Sequence, residues 1–489
     1  MASPYYILAV AALSPARNSL YNPLPVAKQR TYERQTVESI EYQGHGIVRP
    51  EGRVVFLEGV LPGEVVDVAI TRRRRDYAYG KVTKWHQTSP ARQEPFCSHF
   101  RDCGGCTWQY LPYPDQLRYK EQFVGEVLRR IGHITDPVPL PILGCEHNTY
   151  YRNKLEFSFA PLRWIPQEEV DSGVHITDRR ALGFHVKGRF NRVLDINHCY
   201  LQPDPSNAIR TAAREIAIER DLSFHDPAEH VGLLRSIIVR TSTTGGVMTI
   251  LVIGEERPDL AVSFLEELCV RVPAITSACY IINTTKNDDI GPHPAYLVSG
   301  EPVITERCGH LTFAIHPKSF YQTNSLQAER LYGVVREWLD ATGKETLLDL
   351  YCGIGSIGLF VADLVGEVVG VESVAPAVER AVENAARNSI TNARFLAGDV
   401  RELLAGMGGA VPRPDLVVLD PPRAGMHPKV LEQLIEMAPR QIVYVSCKPS
   451  TQARDLAVLT GHYRIQRIQP VDMFPQTFHI ENVVDLRRL

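Results

Sequence analysis

Short apolar runs recur through the last third of the chain, separated by longer amphipathic stretches. Thr346–Leu350, Glu367–Val371, Ala393–Leu396, Leu416–Leu419 and Gln441–Val445 read as strands, with Ile357–Val365 and Ala375–Asn388 as helices between them. Strand and helix alternating in this way predict a doubly wound parallel sheet. Tyr463–Pro470 and Val483–Leu489 predict an antiparallel hairpin at the end of that sheet. The preceding helix starts at Asn324, with Gln327 placed as in a capping box, and Leu331, Val334, Val335, Trp338 and Leu339 form its apolar face.

Two other patterns come earlier. Residues 32–90 alternate apolar and polar positions between Gly/Pro turns, and Val54–Leu57, Val65–Ile70 and Gly80–Trp85 predict strands of a small β-barrel. Pro90–Pro95 links it to a cysteine-rich segment, a helix over Gln116–Ile131 and a Pro-rich break at Pro137–Pro141. Residues 150–320 mix strands (Leu155–Phe159, Ile237–Arg240, Val247–Ile253, Tyr280–Asn283) with helices (Pro205–Arg220, Leu260–Arg271). The expected organisation is an irregular extension (1–31), a barrel (32–91), a central α+β domain (92–320) and a doubly wound domain (321–489), α/β as a whole.

Composition narrows the function classes. With 44% hydrophobic and 22% charged residues this is an ordinary globular chain, and a net charge of −3 advertises no nucleic-acid partner by itself. The charge is uneven, however: Arg72–Arg75 with Lys81 and Lys84 make a basic stripe on the barrel, either a solvated hairpin tip or a hold on single-stranded nucleic acid. No apolar stretch has the length of a bilayer span, and Tyr5–Leu13 lacks the basic residue that precedes a secretory signal. The ten cysteines are too sparse for a disulfide framework, which points to a cytoplasmic, reducing home with metal-binding or catalytic thiols.

Chemistry gathers at the strand ends. Leu348–Ser356 is a strand running into a Gly353-Ile-Gly355 turn and then a helix, where glycines let a ligand approach the backbone. Glu372 ends the next strand, where an acid grips ribose hydroxyls. Two glycines where a dinucleotide fold wants three favour S-adenosylmethionine over NAD. Leu416–Leu419 ends in Asp420-Pro-Pro-Arg423, and Gln441–Val445 ends in Ser446-Cys447-Lys448-Pro449. Cys447 is a soft nucleophile whose thiolate Lys448 could favour. The Asp-Pro-Pro motif is similar to the substrate side of methyltransferases, but Arg423 replaces the aromatic residue with which amino-group methylases stack on a base.

Together with Phe320-Tyr-Gln322-Thr-Asn324 and His479-Ile-Glu481-Asn, in the same order, these motifs resemble the RNA uracil-C5 methyltransferase family over residues 32–489. The resemblance is greatest to its 23S rRNA branch. It implies a Rossmann-like methyltransferase domain and an OB-like TRAM barrel that binds RNA; separately, no obligate protein partner is evident in the chain, and a monomer is expected. Cys447 would add to C6 of a flipped or unpaired uridine, making C5 nucleophilic toward the methyl group of S-adenosylmethionine. Glu481 would remove the C5 proton, with His479 as the other candidate base. Gln322, Tyr351, Ser356, Glu372, Asp399 and Asp420 match cofactor-binding positions, although Ser356 and Asp399 stand where ribosomal relatives often carry Asn. Cys97, Cys103, Cys106 and the distant Cys199 match ligands of a four-iron–four-sulfur cluster, with tetrahedral zinc as the chemical rival.

Blander readings stand beside these. Cys447 is otherwise an inert buried thiol and Glu481 a surface carboxylate; Cys352, in the glycine turn, competes as nucleophile. Cys145, Cys269, Cys279 and Cys308 show no ligand spacing and are expected in the core. A tRNA or dual-site uracil methylase, or an RNA-binding assembly factor with an idle methylase domain, would carry the same parts.

Overall fold

The structure is a computed structural model that describes residues 30–173, 176–405 and 411–489. All but the last residues of the predicted extension (1–31) lie outside the described residues. The C-terminal sheet has seven strands in the order Ala393–Ala397, Glu367–Glu372, Thr346–Leu350, Leu416–Leu419, Gln441–Ser446, Glu481–Arg488, Tyr463–Val471. The first five are parallel, and the last two form the expected antiparallel hairpin at one edge. Strand order reverses at Thr346–Leu350, so the crevice for ligands opens at the carboxyl ends on either side of it.

Alternation along each strand sends its residues to opposite faces. Leu347, Val368, Val418 and Val443 pack with Leu331, Val335 and Trp338 of helix Ser325–Trp338. Leu348, Leu350, Val417 and Ile442 pack on the other face with Leu434 and Leu456 of helices Pro428–Met437 and Pro449–Leu459, two elements the periodicity did not single out. Helix Tyr113–Arg130 joins this second face through Val124 and Leu128. The predicted helix Ile357–Val365 breaks at Val361 into Ser356–Phe360 and a 3₁₀ turn, Ala362–Leu364. Asn324 caps its helix by accepting from the Gln327 N–H at 3.2 Å, but the Gln327 amide donates to the Leu143 carbonyl, so no reciprocal box forms.

A second seven-stranded sheet, Ala295–Gly300, Ser277–Ile282, Val247–Ile253, Leu234–Thr241, Lys154–Ala160, Ala181–Val186, Arg189–Asp195, forms the centre of the chain. Helices Ser206–Glu219 and Pro258–Arg271 cover one face through Ile209, Ile216, Phe264 and Leu268. From the other face Ile238, Ile250 and Val252 enter the same core as helix Ser325–Trp338, so the two large sheets share buried apolar surface. At the N-terminal end, six strands pair in the order Thr31–Thr36, Val65–Arg73, Tyr77–Gln87, Val54–Leu57, Gly46–Val48, Ser39–Ile40. Val48, Val55, Leu57, Val66, Val68 and Ala78 from four different strands, Val55 and Leu57 among them, close on one small core, which requires the sheet to curl. Arg72–Arg75 are all exposed at its hairpin tip. Among the described residues no helix is long and apolar enough to cross a membrane.

Candidate active site and cysteine pocket

Pairing register brings the two strand-end motifs together. Gln441–Ser446 and Glu481–Arg488 run antiparallel with Ser446 opposite Asn482. The ladder ends there: Cys447 is the next residue beyond its strand and Glu481 begins the partner strand, so both stand at the same end of the sheet, and the Glu481 charge acts on the Cys447 thiol. Asp420 follows the neighbouring strand Leu416–Leu419, its N–H reaching the Leu350 carbonyl at 3.3 Å. Glu481 is 2% exposed and its Oε2 has no hydrogen-bond partner among the described residues. Cys447 keeps some accessible surface.

These groups set one another's charge. Burial pushes Asp420 up to about 7 and Glu481 well above the carboxylate range, and the negative Asp420 raises Glu481 further while Arg423 opposes. Burial also lifts Cys447 to about 11, with Glu481 and Asp420 adding and Arg423 opposing. The resting thiol is therefore protonated. The cation acting on it is Arg423, not the sequence neighbour Lys448: the chain turns at Lys448 into helix Pro449–Leu459, its carbonyl accepting from Thr451 and Gln452. Burial, with Arg423, Lys120 and Arg152 adding, lowers His479 to about 4. His479 is thus neutral and weakly basic near pH 7. Cys352, the rival nucleophile, is 6% exposed, and burial beside Asp349 and Glu372 pushes its thiol far up, which suits packing and not attack.

The glycine turn is shaped to admit a ligand. Tyr351 has φ +63°, Gly353 +55° and Gly355 +81°, and a side chain added at Gly353 would project into open space. At Gly355 an added Cβ would come within 3.0 Å of the Phe395 ring, so a larger residue would have to displace that ring as well as adopt a positive φ. The Glu372 carboxylate accepts from the N–H groups of Gly353 (3.1 Å) and Val374 (2.9 Å), so the acid is fixed at the turn with lone pairs to spare. Asp349, 1% exposed, accepts from the Gly358 N–H at 2.9 Å and is pushed up to about 7 by burial, with Asp420 and Glu372 adding. Asp399 is differently employed: Arg401 engages both its oxygens (2.9 and 2.6 Å) and holds it at about 2. Ser356 opens the short helix after the turn and accepts from the Tyr332 hydroxyl at 3.3 Å. Gln322 is buried, its carbonyl held by the Asn153 amide at 2.8 Å, and no hydrogen bond engages its own side-chain amide among the described residues. Phe320, two positions earlier, is 72% exposed.

The loop leading to Glu481 is clamped from a distant part of the chain. Gln116 and Gln476 exchange hydrogen bonds of 3.0 and 2.9 Å, and the Gln476 carbonyl, at φ +66°, accepts from the N–H groups of Thr107 and Trp108. Buried Lys120 donates to Asp472 at 2.6 Å and to the Phe474 carbonyl at 3.1 Å, and Tyr113 donates to the other Asp472 oxygen. Removing one partner of so buried a pair leaves a charge uncompensated, roughly 3–5 kcal/mol. Sequence reading missed this clamp. Its trace was present in Gln116, Lys120, Val124 and Leu128, which recur every fourth residue so that two polar groups share a buried helical stripe. Arg423 was noted only as a missing aromatic.

Cys97, Cys103, Cys106 and Cys199 line one cavity of about 30 Å³. Burial raises all four thiols, Cys103 and Cys106 to about 12 and Cys199 to about 11, and neighbouring thiols of the set add to each of these three. The donor set is all sulfur. His99 also borders the cavity, but its Nε2 accepts from the Asn197 N–H at 2.9 Å. Among the described residues no group of three or more His, Cys, Asp or Glu side chains forms a site for a metal ion, so the thiols surround a space without converging on one point. Cys279 and Cys308 are buried in the core as expected, while Cys145 is partly exposed and donates to the Asp472 carbonyl at 2.9 Å.

Comparison with known proteins agrees with this architecture. Residues 302–489 match the family described as tRNA (Uracil-5-)-methyltransferase, and residues 27–83 match the TRAM domain. An uncharacterized RNA methyltransferase of Bacteroides thetaiotaomicron is 45% identical over 449 residues, 90% of this chain and 98% of the relative. One from Porphyromonas gingivalis is 43% identical over 463 residues, covering 92% and 99%. Among solved structures, the Pyrococcus abyssi tRNA (uracil-54, C5)-methyltransferase in complex with S-adenosyl-L-homocysteine superimposes with a TM-score of 0.71 at 27% identity, covering 93% of this chain and all of that one.

Proposed function

Because the chain belongs to the TRAM-containing RNA uracil-5-methyltransferase family, we propose that it methylates C5 of one uridine in 23S rRNA, through a transient bond between Cys447 and uracil C6. The strand pairing that brings Cys447 and Glu481 to the same end of the sheet carries this reading. S-adenosylmethionine, when bound, supplies an electrophilic methyl group. Tyr351, the Gly353 turn and Glu372 are placed to hold its nucleoside, with Gln322 and Asp420 toward the reacting centre and Ser356 and Asp399 at the margin.

The steps balance on this chain's own groups. The Cys447 proton passes to water in the partly open crevice, the thiolate favoured by Arg423, and the sulfur adds to C6. The C5–C6 π pair moves into an enolate whose C5 would take the methyl group, the S–CH3 bonding pair staying on sulfur so that S-adenosyl-L-homocysteine leaves. C5 then carries both hydrogen and methyl. Glu481, held protonated at rest by burial and Asp420, first gives its proton to water, the anion favoured by Arg423, and then takes the C5 hydrogen as a proton; the double bond re-forms and expels the Cys447 thiolate.

We further infer that Cys97, Cys103, Cys106 and Cys199 hold a four-iron–four-sulfur cluster. One zinc ion requires four sulfurs at about 2.3 Å from a single centre, whereas thiols arranged around a cavity suit a larger core. Anaerobic purification should yield iron and acid-labile sulfide; zinc without sulfide would sink the cluster. The chemistry proposed at Cys447 transfers no electrons, which leaves the cluster a structural or RNA-holding role in the cytoplasm.

The barrel and the four cysteines favour rRNA as substrate. A second reading, tRNA, is favoured by the substrate of the Pyrococcus abyssi relative. Mapping 5-methyluridine in 23S rRNA and tRNA from a strain lacking the protein separates them. Loss of one 23S site is expected, and loss confined to tRNA would replace the rRNA assignment.

A further inference from the structure

The turn between strands Ser39–Ile40 and Gly46–Val48 of the N-terminal sheet reaches the catalytic crevice. It is tight, with Glu41 and His45 bonded N–H to carbonyl at 2.8 Å and Gly44 donating back to Glu41 at 2.8 Å. Gly44 (φ +84°) lies flat on Trp108, where an added Cβ would come within 2.3 Å of the indole Nε1. Trp108 in turn holds the Gln476 carbonyl of the loop that delivers Glu481. From this turn Tyr42 stacks on Phe123 of helix Tyr113–Arg130, with centroids 4.0 Å apart and planes at 19°. It meets Phe478 edge-on at 5.9 Å and 72°, and Phe478 packs against His479 at 4.3 Å.

The ring therefore spans the barrel, the helix and the catalytic loop, while its hydroxyl has no hydrogen-bond partner among the described residues. Apart from burial, the groups that act on the phenol are Arg423, Cys447, Glu41 and Glu481, three of which belong to the crevice. Burial keeps the hydroxyl protonated across the ordinary pH range, which makes it a standing donor. The stack on Phe123 and the edge contact with Phe478 hold the ring beside the catalytic loop, and its hydroxyl, which is not sealed from solvent, is left available to a bound nucleotide.

We propose that Tyr42 is a substrate-contacting residue: its hydroxyl donates a hydrogen bond to an oxygen of the nucleotide seated over Cys447, so that the N-terminal barrel supplies part of the active site. The acceptor is a uracil carbonyl or that nucleotide's phosphate. The proposal rests on the reading of Cys447 as the nucleophile toward a uridine.

The test uses the full chain with S-adenosylmethionine and 23S rRNA and tRNA transcripts, both ordinary and 5-fluorouridine-substituted. Tyr42→Phe keeps the ring stack and should lower kcat/KM for RNA about tenfold. It should slow covalent adduct formation at saturating RNA similarly, with cofactor affinity and melting temperature unchanged. Tyr42→Ala should lose more, on the order of a hundredfold. A Tyr42→Phe variant as fast as wild type overturns the proposal, and so does a defect confined to Tyr42→Ala with a lowered melting temperature, which would mark a packing role. Retention of the tenfold loss on ordinary transcripts carrying a phosphorothioate at the target nucleotide would assign the acceptor to the base. If wild type forms no adduct with either substituted transcript, the reading of Cys447 fails and the Tyr42 assignment fails with it.

Discussion

Burial holds Cys447 and the thiols of the Cys97–Cys199 pocket in protonated form, yet their neighbours give them opposite chemistry. Cys447 stands alone, partly accessible, with Asp420 and Glu481 raising its pKa and Arg423 opposing them. Around the pocket, after burial and an opposing hydrogen bond from Gly105 or Gln109, other thiols are the main charged influence on Cys103 and Cys106, and no cation sits among them. A lone thiol beside an arginine can become a transient anion. Several thiols facing one another can all ionise only if a multivalent cation joins them, a condition the proposed cluster would meet. The same side chain becomes nucleophile or ligand according to which charges surround it.

That contrast breaks most sharply by exchange of variants. Cys447→Ala should abolish methyl transfer, by 10³-fold or more, while leaving any iron content unchanged; Cys103→Ser should lose the iron while a Cys447-linked RNA adduct still forms. Iron lost from the first variant, or no adduct in the second despite a folded protein, would show that the two sites are not separate. Next in size, Glu481→Gln should form the adduct but release product roughly 10²–10⁴-fold more slowly, so that methylated adduct accumulates in rapid-quench assays. Faster turnover by this variant than by His479→Ala would hand the base role to His479.

Smaller effects sharpen the electrostatic side. With Cys447 at about 11, alkylation of its peptide, followed by mass spectrometry, should rise about tenfold per pH unit through neutrality, and Arg423→Ala should slow it severalfold at fixed pH. Equal rates in the variant would remove Arg423 from the account. Smallest is a stability effect. Asp349 and Asp420 sit at about 7 in the folded chain, against about 4 unfolded. The folded state thus binds more protons between these values: their stabilising contribution is complete below pH 4 and is lost as pH rises through 7. The melting temperature should fall between about pH 4 and pH 7, and Asp349→Asn should flatten that fall.

Much of the catalytic domain was legible in the chain because local periodicity and strand-end motifs coincide there. Leu416–Leu419 was read to the residue, and the hairpin was placed at the correct end of the sheet. Helix Pro449–Leu459 escaped notice because the motif around Cys447 drew the reading away from the stripe formed by Ala453, Leu456 and Leu459. In the site, Cys447, Glu481 and Asp420 stood in motifs, but the strand pairing that brings them to one end of the sheet is a tertiary fact. Arg423 illustrates the limit best: one residue past Pro-Pro, its sequence position said what it replaced and nothing of the thiol it faces. Lys448 misled for the complementary reason, since adjacency in sequence does not fix direction in space once a helix begins at the next residue. Tyr42 lies some four hundred residues from Cys447 along the chain, a separation across which no local signal operates.

The central claim is that Cys447 attacks the target uridine, and the most direct measurement is mass-spectrometric mapping of the protein–RNA adduct trapped with 5-fluorouridine-substituted RNA and S-adenosylmethionine. The predicted result is one cross-linked peptide carrying methylated fluorouridine on Cys447 and no adduct in Cys447→Ala; an adduct on Cys352 or another cysteine, or one that survives Cys447→Ala, would contradict it.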